Sequence, residues 1–143
     1  MGDQLLAEID NDIAAIAGLT ARIEEFGEEH KLPSEAIFQL TLAFDELLTN
    51  IISYGFSDGK RHTITARIEL HGDTIAAEII DDGTAFDPLA RATPDTTKSI
   101  EEREIGGLGI HFIRTVMDKI EYCRIDGHNH LKMLKKVRQA PVS

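Results

Sequence analysis

Between Tyr54 and Thr63 the apolar pattern of this chain changes period, so the fold must combine helices with a sheet. Before the change, Ile37, Leu40, Phe44, Leu47, Leu48 and Ile51 recur at helical spacing and form one stripe, which Tyr54-Gly55 closes. After it, Ile64, Ala66, Ile68 and Leu70 alternate with Thr63, Thr65, Arg67 and Glu69, the rhythm of a strand buried on one face. A turn at His71-Gly72-Asp73 returns the chain through Ile75, Ala77 and Ile79, which reads as an antiparallel hairpin. A doubly wound parallel sheet would show nearly continuous apolar runs instead.

The flanking segments fit the same layout. The opening DQLLAEI is ambiguous, but Asn11 or Asp12 can cap a helix carrying Ile13, Ile16, Leu19, Ile23 and Phe26 and ending near His30. A further helix is expected from Gly107 to about Lys119, with Ile110, Ile113, Val116 and Met117 as its apolar face. EYCRI and HLKMLKKV then read as two strands joined at Asp126-Gly127. From Thr84 to Ile105 no period is discernible, which marks either a functional lid or a disordered segment. The expected fold class is an α+β two-layer sandwich, with helices on one face of a mostly antiparallel sheet. Its 143 residues suit one domain over 1–143.

Charge and cysteine content narrow the chemistry. A formal net charge of -10 argues against nucleic acid as a partner, because no basic stripe offsets repulsion from phosphates. Cys123 is the single cysteine, which excludes an intrachain disulfide and a cysteine zinc cage. The acidic start lacks a secretory n-region and no apolar run approaches the roughly 18 residues of a membrane span, so a cytoplasmic protein without a membrane partner is expected. Of six histidines only His128 and His130 share a strand face, a weak basis for a metal site. No serine stands in a nucleophile elbow.

Three places could carry chemistry. In the second helix Glu46 and Asn50 lie one turn apart on a line about 110 to 160° from the centre of the apolar stripe. Asn is a poor residue in mid-helix unless its side chain has a partner, and a ligand could be that partner. In IIDDG, residues 79 to 83, a buried strand ends in acids and a glycine. Taken alone, that pattern reads first as a bare turn, but Asp81 could accept from an exocyclic amine such as adenine N6, with Gly83 admitting close approach of backbone to the ring. In IGGLGIHFIRTVMDKI, Gly106, Gly107 and Gly109 precede a helical pattern, and glycine-rich backbone opening a helix offers N–H groups to an anion. It is neither a Walker loop nor a dinucleotide fingerprint.

Taken in order, E-x-x-x-N on a helix, D-x-G after a strand and G-x-G opening a helix resemble the GHKL ATP-binding superfamily of gyrase and histidine kinases. The stretches DELLTN, DDGTAFDP and GGLGIHFIRTVMD are most similar to its anti-sigma-factor serine/threonine kinases. The resemblance implies ATP and Mg²⁺ as ligands, with Asn50 holding the metal and Glu46 the general base. It implies adenine recognition by Asp81 and Gly83, phosphate contacts at Gly107, Leu108 and Gly109, and a nucleotide lid around 84–105. It also implies a STAS-domain anti-sigma antagonist as protein substrate, a sigma factor as further partner, and leaves a homodimer open. An ATP-sensing binding module without phosphotransfer and a detached histidine-kinase catalytic domain are the alternatives. A glutamate at 46, where histidine kinases commonly carry an amide, argues for a hydroxyl or water nucleophile. Two positions depart from the pattern: Ala85 stands where a second glycine is usual, and Lys132 aligns loosely with a threonine of the adenine pocket. Lys98 and Arg103 could neutralise phosphates or be solvated loop charges.

Overall fold

A computed structural model describes residues 3–91 and 105–137. Five strands form one fully antiparallel sheet: β1 (Gln4–Asp10), β2 (Thr63–His71), β3 (Thr74–Asp81), β4 (Lys119–Ile125) and β5 (His128–Lys136), in the order β1-β2-β3-β5-β4. The helices are α1 (Ile16–Glu29), α2 (Ser34–Tyr54) and α3 (Ile105–Val116), with 3₁₀ turns at Ile13–Ala15 and Pro88–Arg91. The two-layer α+β class expected from the sequence is what forms.

The ambiguous opening is a strand, Gln4 to Asp10, paired with β2. Its pattern hides this role because only Ala7 is fully buried. Asp12 caps the first helical turn by accepting from the Ala14 N–H at 3.0 Å. Because that turn is 3₁₀, the phase of the helix shifts, and Ile13 is 54% exposed rather than in the core. Lys31, at φ 55, takes the left-handed conformation that ends the α1 segment.

The core lies between the sheet and α2, whose Leu40, Phe44, Leu47, Leu48 and Ile51 meet Ile64, Ala66, Ile68, Ile75, Ala77 and Ile79 within one cluster. Fully burying one such side chain contributes about 1.5–3 kcal/mol, so α2 anchors the molecule. By length and composition alone α2 would pass for a membrane-spanning helix. Its apolar side is occupied by the core. Both hairpins turn in two residues, and the β4–β5 turn places Asp126 at φ 49 and Gly127 at φ 78, as a turn matched to sheet twist requires.

Candidate functional site

The alternation of β3 puts Asp81 on the same face as Ile75, Ala77 and Ile79, toward the helices. Asp81 is 3% exposed. Its Oδ1 accepts from the Gly83 N–H at 2.8 Å and from Asn129 Nδ2 at 2.9 Å. The turn that follows is fastened to the end of α2, where the Gly55 carbonyl accepts from Thr84 N at 2.8 Å and Thr84 Oγ1 at 3.1 Å. A Cβ at Gly83 would collide with that same carbonyl. The glycine is therefore required by backbone packing inside the protein, a constraint that exists before any ring approaches it.

Farther back on the same helix, Glu46 and Asn50 do not face solvent. Asn50 is buried and its Nδ2 donates to the Glu46 backbone carbonyl at 3.0 Å. Glu46 is half-buried because α3 crosses it: a Cβ at Gly109 would overlap its carboxylate. Burial raises the Glu46 pKa above the ordinary glutamate value, with the Asn50 side chain, as a donor beside the carboxyl group, pulling it back and the Asp45 charge adding to the rise. The stripe rule had placed both side chains off the core, and it had no means of including a third helix.

The glycine-rich segment also differs from expectation. The helix begins at Ile105 rather than Gly107, so Gly107 and Leu108 lie in its first turn and Gly109 at the start of its second. Glycine costs about 1 kcal/mol in a helix relative to alanine, and tertiary contact overrides that preference here. Ahead of α3, the segment expected to be a lid is described as far as Arg91 and holds a 3₁₀ turn at Pro88–Arg91, which Asp87 caps by accepting from Leu89 N at 2.8 Å. Arg114 of α3 donates to the Leu89 carbonyl at 3.2 Å, and the Phe86 and Tyr54 rings lie 5.9 Å apart. Lys98, Arg103 and the rest of residues 92–104, on which the expected lid falls, lie outside the described residues.

Thus α2 meets all three motifs. Glu46 touches α3, Asn50 follows one turn later, and Gly55 holds the D-D-G turn, a span of about 13 Å at 1.5 Å per residue. The sequence reading missed Asn129. The register pairs Asp81 with Asn129, and Glu78 with Lys132. Lys132 therefore lies on the outer face, within 4.0 Å of Glu78, away from the face that carries Asp81. Asn129 shares the inward face with Leu131 and Met133, and a polar residue in that alternation was the available signal.

Outside this turn, His62 is held between two acids, Nε2 to Asp58 at 2.7 Å and Nδ1 to Asp82 at 2.9 Å, with its ring on Phe56. Asp58, then opposing desolvation, then Asp82 leave the His62 pKa raised. The Lys60 N–H and then His62 lower that of Asp58. Stability from His62 is therefore complete below its unfolded value near 6.5 and is lost as pH rises through the higher folded value. That from Asp58 is present above its ordinary value and lost on acidification through the depressed one. Urea unfolding of wild type and His62→Gln should show a stability gap at about pH 6 that narrows by about pH 9. A gap that widens over that range would contradict the arrangement. His130, by contrast, bonds Glu78 at 3.2 Å, and no cluster of three His, Cys, Asp or Glu fit to hold a metal occurs among the described residues.

Residues 9–135 match the profile of the histidine kinase-like ATPase domain. Over 96 residues the chain is 34% identical to the serine/threonine-protein kinase BtrW of Bordetella bronchiseptica, covering 67% of this chain and 68% of that protein. It is 32% identical over 91 residues to the serine-protein kinase RsbW of Listeria monocytogenes, covering 61% of this chain and 58% of the relative. It is 28% identical over 102 residues to an anti-sigma F factor of Thermoanaerobacter, covering 71% of each. The crystal structure of the RsbU and RsbW domains of Rv1364c from Mycobacterium tuberculosis superposes with a TM-score of 0.67 at 18% identity, covering 96% of this chain and 33% of that one. That likeness concerns the fold.

Proposed function

Since the chain belongs to the histidine kinase-like ATPase domain family, alongside serine/threonine kinases of the anti-sigma type, we propose that it is an ATP-dependent protein serine/threonine kinase. Residues 1–143 would act as one nucleotide-binding domain with its lid around 84–105. The observation that carries the reading is the contact of the Glu46 carboxylate with the Gly109 backbone, one helical turn from buried Asn50. It sets an acid at the helix end where phosphates are expected.

In this reading Asp81 accepts from the adenine amine at the C-terminal end of α2, and Gly107, Leu108 and Gly109 receive the phosphates beside Glu46, toward the middle of that helix. Asn50 donates through Nδ2, which leaves its Oδ1 as an oxygen ligand of the kind Mg²⁺ prefers. Asn50 would thereby hold Mg²⁺ on the phosphates, and the ion would neutralise charge during transfer. Glu46 takes the proton from the incoming hydroxyl as its oxygen bonds the γ-phosphorus and the bond to ADP breaks. Burial suits Glu46 to this role, because a raised pKa brings a carboxylate nearer the operating pH.

The protein substrate in this proposal is a STAS-type anti-sigma antagonist, and a sigma factor is the second partner. Incubation with labelled ATP and the STAS-domain proteins of the same genome tests it. Acid-stable serine or threonine phosphate on one of them is the expected result. Nucleotide binding without transfer to any would favour an ATP-sensing binding module, and an acid-labile phosphate would favour a histidine-kinase catalytic domain.

A further inference from the structure

Asn129 is 4% exposed, and its side chain offers two donors and two acceptor lone pairs. All four are engaged. Nδ2 donates to Asp81 Oδ1 at 2.9 Å and to the Thr84 carbonyl at 2.8 Å. Oδ1 accepts from Arg124 Nη1 at 2.9 Å and from the Tyr122 hydroxyl. Reversing the amide would set its oxygen against a carboxylate and a carbonyl, and its NH₂ against the Arg124 guanidinium, so one orientation alone satisfies the network. Arg124 completes the frame by donating to Gly83 O at 3.1 Å and Gly127 O at 3.3 Å.

This frame acts on Asp81 asymmetrically. The Gly83 N–H and the Asn129 amide both fall on Oδ1, and neither uses Oδ2. We infer that Asn129 is a specificity-determining positioning residue, which occupies Asp81 Oδ1 with a donor and so presents Oδ2 to the base as an acceptor. The inference rests on the proposed nucleotide reading and extends it to base choice. An acceptor pairs with the 6-amino group of a purine and opposes a 6-oxo group, so an adenine nucleotide should be chosen over its inosine counterpart.

The full chain should be titrated calorimetrically with ADP and with inosine diphosphate, in Mg²⁺, at about pH 8 and about pH 6. Wild type should prefer ADP by at least about tenfold at both, since a mispaired buried polar group is strongly disfavoured. Asn129→Asp sets two carboxyls together, which must share a proton. That proton can be offered to a 6-oxo group, so the ADP preference should fall by about tenfold or more, and further at the lower pH. Asn129→Ser, too short to bridge Asp81 and Thr84, should lower the preference by about fivefold without that pH dependence. It keeps the test open if Asn129→Asp does not fold by circular dichroism. Folded variants that retain the wild-type preference, or lose both nucleotides equally at both pH values, would overturn the inference. So would a wild type that binds both diphosphates alike. A wild type that binds neither would remove the nucleotide reading, and this inference with it.

Discussion

Glu46→Gln is expected to bind ATP as wild type does while its phosphotransfer falls by about 10² to 10⁴, the usual loss when a general base is removed. The amide is nearly isosteric, so packing against Gly109 and the hydrogen bond from Asn50 can persist. What disappears is the capacity to take a proton. Single-turnover transfer at saturating nucleotide, with affinity measured separately, separates these effects. In wild type the rate should also decline on acidification, beginning at a higher pH than for an ordinary glutamate, because burial raises this group's pKa and only its ionised form is a base. Undiminished transfer by Glu46→Gln would withdraw the assignment.

Asp81→Asn should weaken ADP and ATP alike by about 10- to 100-fold. The new amide must keep its oxygen toward the Gly83 N–H and Asn129 Nδ2, which both donate to Oδ1. Its NH₂ then occupies the Oδ2 position and meets the base amine donor to donor. A hydrogen bond to a charged acceptor contributes roughly 1.5–3 kcal/mol, which corresponds to that loss in affinity. Calorimetry showing equal binding by the variant and wild type would place base recognition elsewhere.

How far these residues were legible in the sequence follows from the range of the interactions that fix them. The stripe of α2 and the alternation of β2 and β3 are local periodicities, so the helix, the hairpin and most core residues could be read directly. Asp126-Gly127 was legible for a similar reason, since its positive φ values are met cheaply by those residue types. β1 was obscured because an edge strand with one fully buried residue has no clean alternation. Asn129 was missed through register: Asp81 and Asn129 are 48 residues apart, and only the β3–β5 pairing puts them side by side. Glu46 could be named from its motif, but its enclosure depends on where α3 crosses α2.

The position of the β3–β5 seam has a consequence for how the protein matures. Each hairpin closes over a two-residue turn and can form early, whereas β3 and β5 must find one another across residues 82–127, which include α3 and β4. Contacts of such sequence separation are slow to form because loop-closure entropy opposes them. Asp81 and Asn129 sit on either side of that seam, so the hydrogen-bonded frame around Asp81 is absent until the sheet is complete. A partly folded chain that holds both hairpins still lacks it. A ligand gripping this frame would bind only finished molecules, withdrawing them from the folding equilibrium as its concentration rises. In a crowded cell the nucleotide pool would then act on this protein's yield of native chains, before any partner is encountered.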